Sequence, residues 1–364
     1  MKKNFKHKII SVLLSGPYNK TFDYINLENL SDKVGQIVIV PFRNREIIGI
    51  VVNKGRENFP IEKLKKVKSV VNLPLFSKIY LDFIDFFSDW NCADKGNVLK
   101  LIISPFDTKT IQNLSHKNYK PLKFEQSNLK TENTIKELNK DQKYASRKIL
   151  EGFQSETSKC FLLEGVAGSG KTETYFEAVR YCLKNSKQVL ILLPEIGLTS
   201  DWELRFEKSF GFKPLVWHSG ITKSKKKKIW LSVLFEKSLV VVGARSALFL
   251  PFKNLGLIVI DEEHDLSFKQ DEGIRYHARD MSVYLAAKKK IPIVLCSATP
   301  SIETLFNVNT NKFIKLNLHS RATGASLPEI KIIDLRKNPP KKDTWLSEAM
   351  IGELKKRFKK NEQS

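Results

Sequence analysis

The feature that most constrains this chain is a glycine-rich stretch, GVAGSGKT, at residues 165–172. It matches the spacing G-x-x-x-x-G-K-T and stands between a short apolar run, FLLEG, and a stretch with helical periodicity. Glycine allows the backbone of such a strand-to-helix turn to point successive N–H groups inward, where they bind phosphate oxygens. An ordinary glycine-rich turn is the alternative interpretation, but the complete pattern in this context favours a phosphate-binding loop.

Each part of this loop has chemistry that suits a nucleoside triphosphate with Mg²⁺. Lys171 can reach the β- and γ-phosphates, the hydroxyl of Thr172 can ligate Mg²⁺, and the N-terminus of the next helix adds a positive dipole. ATP and Mg²⁺ are therefore the expected cofactors. The predicted ATP-binding residues of the loop are Gly165, Val166, Ala167, Gly168, Ser169, Gly170, Lys171 and Thr172.

Apolar strands and helical stretches alternate over residues 138–337, which predicts βαβ units and an α/β lobe with a parallel sheet. Residues 1–104 contain β-branched runs bounded by Gly, Pro and Asn, and we expect a small β-rich domain closed by one helix. Residues 105–137 are polar and rich in Lys and Asn, which indicates a linker. Residues 338–364 are expected to hold a final amphipathic helix.

Four acids surround a histidine in the stretch VIDEEHD, residues 259–265, at the end of an apolar run. The carboxyl ends of strands in open α/β sheets carry ligand sites. Asp261 is therefore placed to hold Mg²⁺ from the outer coordination shell of the ion. Glu262 is then placed to orient and deprotonate an attacking water. His264 either links this centre to a neighbouring loop or is a hydrogen-bonded structural residue. Glu263 and Asp265 are expected to be solvated.

The chain is strongly basic, with 62 Lys and Arg against 39 Asp and Glu and a formal net charge of +23. This excess favours a polyanion as partner, nucleic acid before an anionic membrane, although compositional bias is the plain alternative. The four cysteines are scattered without a C-x-x-C pair, which predicts a reduced compartment and no zinc site in this chain. No apolar run is long enough for a membrane span, so we expect a cytoplasmic protein without a membrane partner.

Several segments, taken together, resemble a known family. The segments GVAGSGKTE, LLPEIGLT, WHSG, VVGARSALFLPF, VIDEEHDLSFKQDEGIRYHARD and SATPSIETL are similar, in this order, to superfamily 2 helicases, and within them to the PriA family of replication-restart helicases. The resemblance covers most of residues 138–336. It implies a RecA-like lobe that hydrolyses ATP to unwind DNA in the 3′→5′ direction at stalled forks. Lys171, Asp261, Glu262 and His264 are then the expected catalytic residues.

The resemblance also assigns roles around the lobe. Gln142 resembles the helicase glutamine that pairs with adenine, the alternative being an exposed helical glutamine. Ser297 and Thr299 resemble the motif that couples hydrolysis to movement. Thr199, Arg245 and Ser246 resemble residues that line the DNA path. Phe268 and Tyr276 are expected to stack on unpaired bases, with Lys269 and Arg275 near phosphates, although two aromatic residues in ten are more often packing residues.

The N-terminal domain resembles the family's module for binding the 3′ end of a nascent strand. Phe22 and Tyr24 are expected to cradle a terminal base, Asp23 to accept a hydrogen bond from a 3′ hydroxyl, and Lys65 to line the same pocket. The chain departs from the family at Arg43, where glycine is usual, and the larger side chain is expected to narrow the pocket.

Larger departures concern whole domains. Residues 105–137 are too few for the winged-helix domain of the family, and the sequence ends where its second helicase lobe and zinc-binding cysteines are expected. DNA forks, single strands and 3′ ends are the expected partners, with primosome proteins and single-strand-binding protein implied by the resemblance. Two other interpretations stay open: a non-catalytic fragment that binds DNA and ATP, and, disfavoured by charge and motifs, a phosphate-loop enzyme with a small-molecule substrate.

Overall fold

The computed structural model describes residues 9–26, 33–55, 60–114, 137–194, 200–237, 239–321, 330–341 and 344–360. The chain forms two compact units, residues 1–323 and residues 324–364.

The first unit begins with an antiparallel sheet of β-branched strands in the order β2-β1-β4-β3-β5. β-Branched side chains pack well on a pleated, half-buried surface, which explains the strands that QIVIVPF and EIIGIVVNKG form. The strands are β1 (Ile9–Leu14), β2 (Thr21–Ile25), β3 (Ile37–Phe42), β4 (Arg45–Lys54) and β5 (Ser69–Val70).

Three helices follow this sheet: α1 (Lys78–Asn91), α2 (Lys95–Ile102) and α3 (Thr108–Leu114). Helix α3 lies within the stretch predicted as a polar linker, and its Ile111 is fully buried. Ile111 and Leu114 are the two apolar residues of α3, too few to show a helical period in a polar stretch, so periodicity alone does not reveal this helix. Residues 115–136 of the predicted linker lie outside the described residues.

The β-rich domain packs directly on the following lobe. The indole N–H of Trp230 donates to the carbonyl oxygen of Ile102 at 2.7 Å. The hydroxyl of Tyr80 donates to the carbonyl oxygen of Leu250 at 2.8 Å. Buried apolar side chains from both parts form one core around these bonds. Paired polar groups within a continuous apolar core hold the two domains in a fixed relation.

The lobe is a parallel sheet in the order β14-β6-β13-β10-β7-β9-β8, which confirms the predicted α/β class. Its edge strand β14 is not evident from the sequence, because only Leu316 and Leu318 of that strand are buried. The strands are β6 (Cys160–Gly165), β7 (Gln188–Leu192), β8 (Leu215–Trp217), β9 (Val240–Gly243), β10 (Leu255–Ile260), β13 (Ile293–Ser297) and β14 (Ile314–Leu318), with a small hairpin of β11 (Lys269–Gln270) and β12 (Tyr276–His277). The helices are α4 (Lys140–Glu151), α5 (Lys171–Lys184), α6 (Ser200–Phe210), α7 (Lys223–Leu234), α8 (Ala278–Lys289) and α9 (Ile302–Asn309).

The strand order decides which loops meet. Strand β13 lies between β6 and β10, and all three run in the same direction. The loops that leave their carboxyl ends therefore lie side by side at one edge of the sheet. These loops carry the glycine-rich stretch, the acidic stretch and the Ser-Ala-Thr stretch.

The second unit contains helix α10 (Glu348–Lys359), whose N-terminus is capped by the Ser347 hydroxyl accepting from the N–H of Met350. The final helix that the sequence predicts is therefore present. Across the described parts of both units, no helix has the length and apolar character that crossing a membrane requires.

Candidate active site

The glycine-rich loop turns directly from β6 into α5. Gly168 and Gly170 have φ angles of +77° and +82°, in the left-handed region that only glycine adopts at little cost. A Cβ atom at Gly168 would meet nothing within 4 Å, so backbone conformation, and not space, requires glycine there. The sequence therefore encodes a wide turn of the kind whose N–H groups bind phosphate oxygens.

Lys171, the first residue of α5, bridges this loop and the acidic turn. Its ammonium donates to the carbonyl oxygen of Gly165 at 2.9 Å and lies 3.7 Å from Oε1 of Glu262. The neighbouring Ser169 hydroxyl is buried without a hydrogen-bond partner among the described residues. Unpaired buried polar groups are costly, so the loop is built for an additional polar ligand, and phosphate oxygens fit it.

Asp261 follows β10 and is almost fully buried. Its Oδ2 accepts from the Tyr175 hydroxyl at 3.0 Å, and its Oδ1 accepts from the N–H of Glu262 at 3.2 Å. Burial, and then the negative charge of Glu262, raise the pKa of Asp261 to about 6. A site that disfavours the charged carboxylate gains from a cation, and a divalent ion is the natural one beside a triphosphate.

The donor set fits Mg²⁺ only together with a nucleotide. Thr172 and Asp261 offer the hard oxygen ligands that this ion prefers, and phosphate oxygens would complete its shell. Within the described ranges, no group of three or more His, Cys, Asp and Glu side chains could hold a metal ion by itself. The residues therefore fit the cofactors that the sequence predicts.

Glu262 has a strained backbone at the edge of this cluster. Its φ is +52°, a conformation that costs a non-glycine residue on the order of 1–3 kcal/mol. Its carboxylate is 43% exposed and lies 3.7 Å from both the Lys171 ammonium and Nδ1 of His264. The side chain thus combines solvent access with two basic neighbours.

His264 connects the acidic turn to the loop after β13. Its Nδ1 lies 2.7 Å from Oγ of Ser297, and the same hydroxyl oxygen accepts from the N–H of Thr299 at 3.0 Å. The link to a neighbouring loop that the sequence suggests for His264 is therefore present as a direct contact. Ser297 and Thr299, the predicted coupling residues, lie at its other end.

The expectation that Glu263 is solvated is wrong. Glu263 is fully buried, and its carboxylate accepts from Arg279 at 3.0 Å, from the N–H of Ser301 at 2.8 Å and from the hydroxyl of Thr304 at 3.0 Å. These partners lie far along the chain, so local sequence does not reveal them. Asp265 is half-buried and caps a short 3₁₀ helix by accepting from the N–H of Ser267 at 2.7 Å.

Gln142 lies against the phosphate loop. It is buried, its amide donates to the carbonyl oxygen of Ser169 at 2.9 Å, and it forms a reciprocal capping box with Asn139 at the start of α4. The alternative of an exposed helical glutamine is therefore wrong. Pairing with adenine stays a prediction.

The prediction that Phe268 and Tyr276 stack on bases is corrected by the structure. Phe268 is fully buried, and Tyr276 packs on Phe87 and Phe249 with ring centroids 5.4 and 5.3 Å apart. Both rings belong to the core beneath their loop, which local sequence cannot distinguish from a stacking surface. The charged residues of the same segment, Lys269 and Arg275, are both exposed.

Arg245 holds the segment of residues 267–269 through hydrogen bonds to its backbone. Its guanidinium donates to the carbonyl oxygens of Ser267 at 2.8 Å and Lys269 at 3.2 Å. Ser246 is exposed and accepts from the indole N–H of Trp217 at 3.1 Å. Thr199, the remaining predicted DNA-path residue, lies outside the described residues.

A second site lies in the β-rich domain. A cavity of about 540 Å³ is lined by residues of β2, the β3–β4 turn and residues 63–65, which brings together Phe22, Asp23, Tyr24 and Lys65. Phe22 contacts Phe42 edge to face, with ring centroids 4.9 Å apart. Tyr24 is buried, and its hydroxyl donates to the carbonyl oxygen of Pro41 at 3.3 Å. Its ring is therefore part of the cavity wall and does not offer an open face on which a base could stack.

The backbone at Arg43 has a conformation that glycine adopts more easily than other residues. Its φ is +51°, in the left-handed region, at the two-residue turn between β3 and β4. The guanidinium lies 5.7 Å from the centroid of the Phe42 ring, and the Lys65 ammonium donates to the Arg43 carbonyl oxygen at 3.5 Å. The cavity is present with Arg43 as part of its lining.

The fold and the site define the class of protein. A phosphate loop, an Asp-Glu-Glu-His turn and a Ser-Ala-Thr turn at adjacent strand ends form a helicase-type nucleotide-binding lobe, and residues 139–308 match the DEAD/DEAH box helicase family. Residues 11–104 match the family described as 3′DNA-binding domain (3′BD). The chain belongs to the PriA family of replication restart proteins.

Relatives support this assignment over nearly the whole chain. The replication restart protein PriA of Rickettsia conorii is 41% identical over 352 residues, covering 96% of this chain and 51% of that protein. The one from Haemophilus influenzae is 32% identical over 426 residues, covering 98% and 58%. This chain thus spans about half the length of these relatives. The helicase domain of Pyrococcus furiosus Hef is 19% identical, with a TM-score of 0.36 over 48% of this chain and 37% of that chain, too weak a likeness to carry an argument.

Proposed function

We propose that this chain forms the DNA-end-binding and ATP-binding part of a replication-restart helicase, which hydrolyses ATP to unwind DNA in the 3′→5′ direction at stalled forks. The observation that carries the proposal is the convergence of Lys171, Asp261, Glu262 and Ser297 at the carboxyl ends of neighbouring strands. Three loops far apart in sequence meet there, which is the arrangement that phosphoryl transfer needs.

Each residue has a distinct part in the proposed hydrolysis. The loop N–H groups and Lys171 hold the β- and γ-phosphates, and Gln142 pairs with adenine. Thr172 and Asp261 would hold Mg²⁺, which would supply positive charge beside the phosphates. Glu262, half-exposed and beside two basic groups, orients the attacking water and takes its proton. His264 passes changes at this centre to Ser297 through their direct contact, and to Thr299 through the Ser297 hydroxyl that accepts from the Thr299 N–H.

The proposed DNA contacts form two groups. Ser246, Lys269 and Arg275 offer accessible hydroxyl and basic groups on the lobe, which hold phosphates without reading sequence. Phe22, Asp23 and Lys65 receive the terminal nucleotide of a 3′ end in the cavity of the β-rich domain. Primosome proteins and single-strand-binding protein are proposed partners on the strength of the family alone. Zinc is a family expectation, for which the scattered cysteines of this sequence predict no site in this chain.

Fork binding and nucleotide hydrolysis, measured on the same preparation, test the proposal. We expect the chain to bind forked DNA and Mg·ATP, and Glu262→Gln to keep both affinities while abolishing ATP hydrolysis. The hydrolysis assay is repeated with DNA and with the remaining part of a longer relative added as a second polypeptide. Binding of both ligands without any hydrolysis, even under these conditions, would support a non-catalytic role instead. Failure to bind forked DNA would remove the proposal.

A further inference from the structure

Two hydrogen bonds in series join helix α6 to Asp261. The indole N–H of Trp202 donates to the hydroxyl oxygen of Tyr175 at 3.2 Å, and that hydroxyl donates to Oδ2 of Asp261 at 3.0 Å. An indole nitrogen can only donate, so the Tyr175 oxygen accepts from it and directs its single proton to the carboxylate. The direction of the chain of bonds is thereby fixed.

Packing holds all three side chains in place. Tyr175 is fully buried, and Trp202 is 8% exposed. The indole stacks on Phe206, with ring centroids 5.5 Å apart, and contacts Phe176 edge to face at 6.1 Å. Buried networks whose members are all satisfied rigidify a site, because losing any partner leaves an unpaired polar group.

The link connects three elements with different roles. Asp261 ends the strand that carries the acidic turn, and its other oxygen is held by the N–H of Glu262 at 3.2 Å. Tyr175 is in α5, about one turn beyond Thr172, and Trp202 is in the first turn of α6. Each oxygen of Asp261 thus has its own donor, and one of these donors depends on the placement of α6.

We propose that Tyr175 and Trp202 are positioning residues that hold the carboxylate of Asp261 in the orientation in which it serves Mg²⁺. Tyr175 acts on Asp261 directly, whereas Trp202 acts through the Tyr175 hydroxyl. The proposal rests on the ATP-binding function proposed above. It makes the position of α6 a determinant of how tightly Mg²⁺ and nucleotide bind together.

Tyr175→Phe tests the link, because it removes one oxygen atom and keeps the ring. Binding of a fluorescent ATP analogue to the 364-residue chain is titrated at a series of Mg²⁺ concentrations and again in EDTA. Losing a hydrogen bond to a charged group is expected to raise the half-saturating Mg²⁺ concentration about 10- to 100-fold. Affinity in EDTA is expected to be unchanged, since the phosphate loop is intact.

Trp202→Phe gives the second arm. It removes the N–H donor and keeps an aromatic ring, so we expect a smaller shift in the same direction and no further shift when it is added to Tyr175→Phe. Tyr80→Phe is the matched control, because it also removes one buried hydroxyl, bonded to the Leu250 carbonyl oxygen at 2.8 Å, but in the domain interface. That variant should leave the Mg²⁺ dependence unchanged.

The outcomes separate the possibilities. An unchanged Mg²⁺ dependence in Tyr175→Phe would overturn the inference while leaving the proposed function intact. An equal loss of affinity with and without Mg²⁺ would show general damage to the lobe and also overturn it. Absence of Mg·ATP binding by the unmodified chain would remove the proposed function, and the inference with it.

Discussion

The guanidinium of Arg279 donates to the carboxylate of Glu263 at 3.0 Å, and the two side chains are 7% and 0% exposed. The pair joins the acidic turn to α8 and, through Ser301, to the N-terminus of α9. A buried ion pair contributes little over an apolar pair of similar volume, but removing one partner leaves an uncompensated buried charge.

We therefore expect Arg279→Met to lower the free energy of unfolding by about 3–5 kcal/mol. Adding Glu263→Leu should recover part of this loss, since the unpaired charge is then gone. Urea denaturation followed by circular dichroism measures both. The control is Lys148→Ala, which breaks the exposed pair with Glu151 and should cost about 1 kcal/mol or less. Equal effects of Arg279→Met and Lys148→Ala would contradict the role of the buried pair.

The His264–Ser297 contact predicts a coupling defect without a binding defect. His264→Ala and Ser297→Ala should each leave Mg·ATP affinity nearly unchanged and lower the stimulation of ATP turnover by single-stranded DNA. Because both remove the same 2.7 Å interaction, the double variant should be no worse than either single one. His319→Ala is the control, since that residue pairs with Asp141 at 3.1 Å on an exposed surface. Additive losses would show that the two residues act independently.

The cavity in the β-rich domain predicts discrimination between strand ends. Asp23→Ala should erase the preference for a 3′-hydroxyl over a 3′-phosphate end and leave bulk DNA affinity nearly intact, because phosphate interactions supply most of that affinity. Fluorescence anisotropy with two otherwise identical forks measures the preference. Asp89→Ala, an exposed carboxylate on α1, is the control and should keep it. If the unmodified chain already treats both ends alike, the assignment of this cavity is wrong.

The accessible basic residues predict a salt-dependent affinity for DNA. Log affinity should fall by about 0.7–0.9 per log unit of salt for each phosphate that the protein neutralises. Replacing Lys269 and Arg275 by Ala, one at a time, should each reduce this slope by about 1. Lys187→Ala is the matched control, since Lys187 precedes the amino end of β7 at the opposite edge of the sheet. If the slope of log affinity against log salt concentration is the same in both variants and in the unmodified chain, Lys269 and Arg275 do not contact DNA phosphates.

Local pattern predicts the parts of this protein whose determinants are contiguous. The turn at Gly168 and Gly170 follows from residues that stand side by side, and so does the position of Asp261 at the end of an apolar strand. Sequence reasoning fails where the deciding partner is distant. Glu263 is buried because Arg279, Ser301 and Thr304 satisfy it, and these lie outside the acidic turn.

Aromatic residues show the same limit. Phe268 and Tyr276 follow a pattern that suits a stacking loop, but Phe87 and Phe249, from elsewhere in the chain, cover Tyr276. Tyr175 and Trp202 have no motif of their own, and only the fold brings them to Asp261. A contiguous motif predicts chemistry, whereas burial and side-chain partners depend on tertiary packing.

Mg·ATP binding by the 364-residue chain tests the central claim most directly, because all the proposed nucleotide-binding residues lie within it. Isothermal titration calorimetry should show one site in the unmodified chain. Lys171→Ala should weaken it by on the order of 10- to 100-fold, the effect of losing hydrogen bonds to a charged group. Lys184→Ala, at the other end of α5, should bind as the unmodified chain does. Equal Mg·ATP affinity in the Lys171→Ala variant and the unmodified chain would contradict the account.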